Sequence, residues 1–342
     1  MFNKMFDIIT FGSAAQDIHI KSKEFKILKD NVDFITGEGI CLALGSKIDI
    51  EDIVSSVGGS GVNTATTFAR QGLKTAFCGA IGADISGLEI VRDLKASRID
   101  TRFIVKKKDT KTTTSVIISR PGGDRTILIY LGASGVFGVK DIQWKKIAKA
   151  KWFHIAPLKE LFCDSFEQLV SFAKENNIKV SVNPSIQQLS LPQEQLKSIF
   201  KKVDILFLNQ EEASFLTKIP FGEEQNIFKK IDEICHGIAV MTRGKDGVVV
   251  SDGKYLYSAS ADQNKKIVDA TGAGDSFGAG FLSDYIRYNG DIEKAIQLGI
   301  ANSEANLSEV GAKTGLLDKN SKFDRVKVMK EECGKNNLCI IK

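Results

Sequence analysis

Short apolar runs alternate along this chain with longer amphipathic segments, and no other feature restricts the fold as much. Runs with the length of buried strands occupy residues 8–11, 75–80, 152–155, 180–183, 205–208 and 238–242. Segments with helical spacing occupy residues 61–70, 87–96, 162–175, 211–216, 276–288 and 292–308, the last with Asp291 as N-cap. Strands that alternate with helices predict an α/β fold built from parallel βαβ units.

Four other segments follow a two-residue alternation, which is typical of antiparallel strands. They are residues 17–21, 103–107, 112–120 and 125–131, with a predicted hairpin turn at residues 121–124. Antiparallel strands within a parallel α/β fold predict a small separate sheet, and we interpret it as a lid. We expect one domain over residues 1–342, with the lid formed by parts of 14–50 and 99–132. Residues 22–55 and the tail after 320 show no clear pattern.

The segment Asp269–Phe277 (DATGAGDSF) combines two glycines, a carboxylate and the start of a helix. The amides of Gly272, Ala273 and Gly274 would lie at the helix N-terminus, where they lack intrahelical partners and carry the positive end of the helix dipole. Asp275 beside such an anion site could accept a proton from a hydroxyl while the amides stabilise a phosphoryl group. The alternative is structural, because Asp is also a favoured residue of a first helical turn.

A second glycine cluster, Val57–Ala65 (VGGSGVNTA), also precedes a helical segment. Bare backbone at Gly58 and Gly59 allows a polar ligand to approach closely, and Asn63 offers both a donor and an acceptor to its hydroxyls. The cluster lacks the GxGxxG spacing of a dinucleotide site and the Lys-Ser/Thr ending of a P-loop. A simple loop at Ser60 remains the alternative.

Composition excludes several classes of protein. The net charge is +5, and the basic residues are scattered without interleaved aromatics, so we expect no nucleic-acid partner. The six cysteines form no CxxC pair, which argues against a zinc site and favours free thiols, with a local Cys333–Cys339 disulfide as the alternative. No signal-peptide pattern and no membrane-length apolar run are present. We therefore expect a cytoplasmic protein with no membrane partner.

The two glycine clusters, taken in order, resemble the signatures of the ribokinase-like (PfkB) carbohydrate kinases. The stretches GGSGVNTATTFARQG and DATGAGDSFGAGFL carry the resemblance, and it extends over residues 7–318. Between them lie three shorter matches in family order, at residues 182–184, 209–212 and 242–247. The resemblance implies ATP-dependent phosphorylation of a sugar-like hydroxyl on a three-layer α/β/α (Rossmann-like) sheet with a β lid.

The resemblance also implies roles for individual residues. Asp275 matches the catalytic base and Gly272, Ala273 and Gly274 the anion hole, while the acceptor site matches Asp17, Gly58, Gly59 and Asn63. Nucleotide contacts match Asn183, Asn209, Thr242, Gly244, Gly247 and Asn302, and Glu212 matches a residue that binds Mg²⁺ through water. The carbonyls of Asp269 and Thr271 resemble a K⁺ site found in part of the family, and K⁺ dependence is left open because the stretch from Asn302 to Ala312 looks shorter than in ribokinases.

Each assignment has a structural alternative. Asp17 could be a turn residue, Glu211 and Glu212 could form an ordinary first helical turn, and Arg243 could contact phosphate or only solvent. For the acceptor we expect a free fructose- or ribose-like sugar, with a nucleoside as the alternative. A sugar phosphate would need basic residues, for which Arg102, Arg120 and Arg125 are candidates.

Two rival functions complete the hypotheses. A non-catalytic sugar or nucleotide sensor would not need both Asp275 and an unbroken GAG turn, and an NAD-dependent oxidoreductase would need the missing dinucleotide fingerprint. A homodimer through the lid strands is a further hypothesis, because their edges could pair with a second copy.

Overall fold

The computed structural model describes residues 5–29, 38–119, 125–262, 265 and 267–333. The predicted turn at 121–124 and the candidate Arg120 lie outside these residues. Within them, no helix has the length and apolar character needed to span a membrane. Four of the described cysteines are free thiols, namely Cys41, Cys78, Cys163 and Cys235. Cys333 is disulfide-bonded, so free thiols do not extend to the tail.

A ten-stranded sheet forms the centre of the molecule, in the order β16-β15-β14-β13-β12-β11-β10-β1-β6-β7. Its strands are β1 (Phe6–Phe11), β6 (Thr75–Gly82), β7 (Asp100–Lys107), β10 (Ala150–Ile155), β11 (Lys179–Val182), β12 (Ile205–Asn209), β13 (Ile238–Thr242), β14 (Val248–Ser251), β15 (Tyr255–Ala259) and β16 (Met329–Glu332). All neighbours from β13 to β7 pair in parallel, whereas β13 to β16 are antiparallel. The tail, whose residues show no clear pattern, therefore supplies an edge strand.

The helices are α1 (Ser60–Arg70), α2 (Ile85–Ala96), α3 (Gly132–Gly135), α4 (Trp144–Ile147), α5 (Phe166–Glu175), α6 (Ile186–Leu189), α7 (Gln193–Phe200), α8 (Gln210–Thr217), α9 (Glu224–Ile234), α10 (Ala273–Arg287) and α11 (Ile292–Leu307). Short 3₁₀ turns occupy Val139–Asp141, Glu160–Ser165 and Gly244–Asp246. Asp291 caps α11 through the amide of Lys294, as predicted.

Two apolar cores lie on opposite faces of the large sheet. Along β1, Ile9 belongs to the core under α5, α7, α8 and α9, while Ile8 belongs to the core under α1, α10 and α11. This division follows from the two-residue alternation of side chains along a strand. Every residue of β6 is buried, as expected for an inner parallel strand with helices on both sides. The three-layer α/β/α prediction is confirmed.

A separate four-stranded sheet has the order β5-β2-β8-β9 and is called the small sheet below. It consists of β2 (Ala15–Lys21), β5 (Asp52–Gly58), β8 (Thr113–Ser119) and β9 (Arg125–Tyr130). Strand β2 pairs antiparallel with β5 and parallel with β8, and β8 pairs antiparallel with β9. A hairpin of β3 (Lys26–Lys29) and β4 (Glu38–Cys41) fills part of the stretch between β2 and β5.

One strand was predicted in the wrong sheet. Residues 103–107 were expected among the antiparallel strands, but β7 pairs in parallel with β6 at the edge of the large sheet. Phe103 is buried there, with its ring 5.7 Å from that of Phe6. An edge strand is half covered, so its alternating pattern matches that of a strand in a two-faced antiparallel sheet.

Candidate active site

The predicted site residues gather where the parallel strands of the large sheet end. Asn183 follows β11, Asn209 ends β12 and Thr242 ends β13, with Asn209 and Thr242 in register. Ligands of open α/β sheets bind at this carboxyl edge. The structure therefore brings the nucleotide-binding candidates together on one side of the molecule.

The turn before α10 is held in place by its own carboxylate. Asp269 Oδ1 accepts hydrogen bonds from the amide and hydroxyl of Thr271 at 2.9 and 2.7 Å, and Oδ2 accepts one from the amide of Gly311 at 3.0 Å. Burial raises the pKa of Asp269, but these hydrogen bonds outweigh it and the net shift is downward. Gly272, the N-cap, has a φ of 81°, which a side chain would strain.

Of the three amides predicted to form an anion hole at this turn, that of Ala273 is engaged within the turn itself. The amide of Ala273 donates to the carbonyl of Ala270 over 3.4 Å, a long bond that closes the turn. A Cβ added at Gly274 would meet no described atom within 4 Å. Glycine at 274 is therefore not required by packing, and its bare face is open to a ligand at the helix N-terminus.

Asp275, in the first turn of α10, is half-buried and hydrogen-bonded across the site. Its Oδ2 accepts a hydrogen bond of 2.9 Å from Nδ2 of Asn63 on α1. Burial raises the pKa of Asp275 to about 7, and the negative charges of Asp17 and Glu212 add to this effect against the Asn63 hydrogen bond. A carboxylate with this pKa can exchange a proton near neutral pH.

The second glycine cluster joins α1 to the end of β5. Gly59 is the N-cap of α1 with a φ of 94°, and a Cβ there would lie 2.7 Å from the carbonyl oxygen of Ser13. At Gly58 a Cβ would lie only 1.9 Å from Oδ2 of Asp17. The Asp17 carboxylate thus occupies the space that a side chain at Gly58 would need. This contact joins the glycine cluster to the strand that carries Asp17, the two parts of the predicted acceptor site.

Asp17 is buried on β2 of the small sheet, with 5% of its surface exposed. Burial raises its pKa, while its hydrogen bond with Ser115 and the nearby charges of His19 and Lys313 oppose the rise. His19, two residues along the same strand, has Nδ1 3.7 Å from Oδ2 of Asp269. The small sheet therefore approaches the α10 turn directly at this point.

Buried polar atoms without a partner among the described residues cluster in the same place. They are Oδ1 of Asn63, Oγ of Ser56 and Nε2 of His19. Ser56 lies opposite Asp17 in the β2–β5 pairing. Because a buried polar atom without a hydrogen bond is costly, these three atoms mark a place between Asp17 and Asp275 where a polar ligand could supply partners.

The Asn209/Glu212 pair forms a capping box at the start of α8. Oδ1 of Asn209 accepts from the amide of Glu212 at 2.7 Å, and Oε2 of Glu212 accepts from the amide of Asn209 at 2.9 Å. Burial raises the pKa of Glu212, against the effect of that hydrogen bond. Glu212 thus forms part of an ordinary first helical turn, as the structural alternative expected. Its negative charge also raises the pKa of Asp275.

Two further candidates for nucleotide contacts are engaged by protein groups. Asn302 is fully buried, with Nδ2 donating to the carbonyl of Ser276 and Oδ1 accepting from the amide of Leu317. The guanidinium of Arg243 forms an ion pair with Glu224 at 2.7 Å. Arg243 therefore contacts a protein carboxylate, which neither the phosphate nor the solvent alternative included.

The remaining nucleotide candidates lie at exposed turns or strand ends. Asn183 Nδ2 donates to the carbonyl of Phe207 at 3.3 Å. Gly244 and Gly247 both have positive φ, of 56° and 89°, and a Cβ at Gly247 would lie 2.0 Å from the carbonyl oxygen of Ala259. These two glycines are explained by the tight turn after β13.

Sequence reasoning did not identify His19, Ser56, Ser115 or Lys313 as parts of this site. The first three share a sheet face with Asp17, which two-residue spacing and strand pairing would have shown had the pairing been known. Lys313, in the loop after α11, pairs with Asp93 of α2 at 2.5 Å. Among the described residues no group of three or more His, Cys, Asp or Glu side chains forms a metal site.

The fold and the site define a kinase of the ribokinase-like class. The model of the pfkB family of carbohydrate kinases matches residues 27–320, and the chain belongs to this family. Family membership makes it an ATP-dependent kinase.

Similar proteins act on different acceptors, as their names state. An ATP-dependent 6-phosphofructokinase of Thermoanaerobacterium thermosaccharolyticum is 26% identical over 297 residues, covering 83% of this chain and 88% of that protein. A cytidine kinase of Thermococcus kodakarensis is 28% identical over 269 residues, which cover 75% of this chain and 90% of that protein. The solved structure of Arabidopsis thaliana ribokinase complexed with ribose and ATP has a TM-score of 0.76 at 20% identity. The match covers 92% of this chain and 96% of that one.

Proposed function

We propose that this chain transfers the γ-phosphoryl group of ATP to a hydroxyl of an uncharged sugar-like acceptor, with Asp275 as the general base. The observation that carries the proposal is the position of Asp275. Its carboxylate lies in the first turn of α10, beside the open face of Gly274, and is oriented by Asn63. The pKa of about 7 suits a base that works at neutral pH.

The reaction uses these groups in one step. The acceptor hydroxyl oxygen forms a bond to the γ-phosphorus as the bond to the β–γ bridging oxygen breaks, which releases ADP. The hydroxyl proton passes to Asp275. The N-terminal amides of α10, chiefly those of Gly272 and Gly274, stabilise the negative charge on the phosphoryl oxygens.

Magnesium is proposed as the cofactor of ATP, bound through water near Glu212. Carboxylate oxygens suit this hard cation, and the negative charge of Glu212 reaches the site, as its effect on Asp275 indicates. When bound, Mg²⁺ neutralises phosphate charge. On the protein side, the capping box with Asn209 holds the Glu212 side chain in place for this role.

The acceptor is proposed to bind between Asp17 and Asn63, with Gly58 and Gly59 as the bare surface beneath it. Of the described cations predicted for a sugar phosphate, Arg125 begins β9 of the small sheet, whereas Arg102 is not well placed. Arg102 lies near the amino end of β7 and pairs with Asp100 at 2.7 Å, away from the carboxyl edge where the site lies. An uncharged polyol, either a fructose- or ribose-like sugar or the sugar of a nucleoside, therefore fits better.

Three further features remain proposals. K⁺ would bind at the carbonyls of Asp269 and Thr271, a turn that the Asp269 carboxylate holds in place. The small sheet would act as a lid that excludes water. A homodimer would pair its edge strands β5 and β9, both with exposed residues. The need for ATP favours the cytoplasmic location expected from the sequence.

A coupled ADP-release assay tests the proposal. We expect ADP release that depends on both an acceptor and Mg²⁺, measured across free sugars, sugar phosphates and nucleosides, with and without K⁺. The absence of acceptor-dependent ADP release, with ligand binding retained, would support the sensor hypothesis instead. Thermal-shift measurements with NAD test the oxidoreductase alternative, and light scattering tests the dimer.

A further inference from the structure

One face of the small sheet combines the acceptor-binding carboxylate with a wall of aliphatic side chains. We call it the inner face, and define it by Asp17 and His19. Residues paired directly across neighbouring strands share a face. Val54 pairs with His19 in β5, and Ile117 pairs with His19 in β8.

Two residues of β9 extend this wall. Ile127 pairs with Ile117, and Ile129 pairs with Ser115, the residue that hydrogen-bonds Asp17. The inner face therefore presents Val54, Ile117, Ile127 and Ile129 around the buried polar groups. Leu128, between the two isoleucines of β9, lies on the opposite face because side chains alternate along a strand.

The inner face is turned towards the catalytic turn. Asp17 acts electrostatically on Asp275, and the ring of His19 lies 3.7 Å from Asp269. Ile117 is only 2% exposed, but Val54, Ile127 and Ile129 are 38%, 39% and 49% exposed. Three partly exposed aliphatic residues thus lie beside the place where the acceptor hydroxyls bind.

Two basic residues of this face lie at the end of the apolar wall that is farther from Asp17. The basic residues Lys21 and Arg125 come four residues beyond Asp17 and Ile129, which corresponds to about 13 Å along a strand. Lys313, the cation near Asp17, is already paired with Asp93. The surface next to Asp17 is therefore aliphatic, and the basic Arg125 adjoins its far end, two residues beyond Ile127.

An aliphatic wall would contribute little to a free sugar, whose edge carries hydroxyls that lose water without gaining hydrogen bonds. It would stabilise a ring that has apolar faces, since burial of such a surface is favourable. We propose that the natural acceptor is a sugar that carries an apolar or aromatic ring, of the nucleoside class. In this proposal Val54, Ile127 and Ile129 cover the ring while Asp17 and Asn63 bind the sugar. It rests on the proposed kinase function and narrows its acceptor.

The test compares nucleosides with the corresponding free sugars in the ADP-release assay. Adenosine, cytidine, inosine, ribose, fructose and fructose 6-phosphate serve as the probes. We expect kcat/KM for at least one nucleoside to exceed that for ribose by about tenfold or more, the scale on which a small apolar group is discriminated.

Matched variants locate the effect on the inner face. Ile127→Ser and Ile129→Ser should each raise KM for the nucleoside about tenfold, with little change for ribose. Leu128→Ser, made on the neighbouring residue but the opposite face, should leave both values unchanged. Thermal unfolding and light scattering of each variant confirm that folding and assembly are retained.

The outcomes separate this inference from the kinase assignment. A free sugar or fructose 6-phosphate as the best acceptor, or equal effects of Ile129→Ser and Leu128→Ser on nucleoside KM, would overturn the inference and leave the kinase function intact. The absence of ADP release with every probe would overturn the proposed function itself.

Discussion

The two carboxylates of the site, Asp275 and Asp17, have similar surroundings but belong to different parts of the molecule. Each lies against a glycine turn, and burial raises the pKa of each. Asp275 belongs to α10, which packs on the large sheet through Phe277 and Phe281. Asp17 belongs to the small sheet, whose edge strand β9 is exposed along its whole length.

This difference suggests a division of labour between the two parts. The turn that carries Asp275 is braced by Asp269 and Gly311, so it can hold a transferring phosphoryl group without rearrangement. The small sheet carries the partly exposed residues Val54, Ile127 and Ile129 on the face that holds Asp17. We expect substitutions on the large-sheet side to lower kcat and those on the small-sheet side to raise acceptor KM.

The largest effect is expected for Asp275→Asn. The variant keeps the hydrogen-bonding shape but cannot take the hydroxyl proton, so turnover should fall by about 10³-fold or more. Nucleotide affinity, measured by calorimetry, should stay nearly unchanged. Retention of more than a few per cent of the activity would contradict the role of Asp275 as the base.

The stability of Asp275→Asn is the control for that experiment. Because the folded-state pKa of Asp275 is raised, its contribution to stability is present at low pH and is lost as the pH rises through about 7. Replacing the carboxylate should therefore leave the melting temperature at pH 8 equal to or above that of the wild type. A lower melting temperature would attribute the loss of activity to unfolding.

The next largest effect distinguishes the roles of Gly274 and Gly272 in the turn before α10. Gly274→Ala keeps the amide but places a methyl group in the open space at the N-terminus of α10. If the methyl group keeps the phosphoryl oxygens from this amide, turnover should fall about 10²-fold, the scale for losing one anion-hole contact. Its stability should rise by about 0.5–1 kcal/mol, because Ala favours a helix over Gly. Gly272→Ala should instead destabilise the fold, since that residue has a φ of 81°. Chemical denaturation and kinetics distinguish the two variants.

On the small-sheet side, Asp17→Asn should raise acceptor KM by about 10- to 100-fold, from the loss of about 1.5–3 kcal/mol in a charged hydrogen bond. The change in kcat should be smaller. Gly58→Ala is the matched test, because its Cβ would lie 1.9 Å from the Asp17 carboxylate and displace it. A loss of kcat in Asp17→Asn as large as in Asp275→Asn would remove the proposed division between the two sides.

The smallest effect is a shift in the pH profile. The base must be deprotonated, and with a pKa of about 7 for Asp275 we expect kcat/KM to fall tenfold per pH unit below that value. Removing the charge of Asp17 or Glu212 should lower the pKa of Asp275, so Asp17→Asn or Glu212→Gln should keep activity to a lower pH. An unchanged midpoint in both variants would show that these charges do not act on Asp275.

Several features of the site could be predicted because they are local. The glycines of the α10 turn, Asp275 in its first turn and the cap of α11 each follow from a few consecutive residues. Six strands of the large sheet (β1, β6 and β10 to β13) were predicted because a run buried on both faces differs clearly from an amphipathic helix, whereas β14, β15 and β16 were not predicted. The burial of Asn302 was not predicted, because a short motif does not show whether a side chain faces a ligand or the core.

The sequence by itself determined the α/β class, the two glycine turns and the kinase family that implies three layers, because each depends on short-range periodicity or on contiguous motifs. Tertiary structure decided the rest. It placed β7 in the large sheet, brought Asn63 within 2.9 Å of Asp275 although 212 residues separate them, and set the register that aligns Ile129 with Ser115. Such contacts depend on which strands pair and on burial by distant segments, which no local pattern specifies.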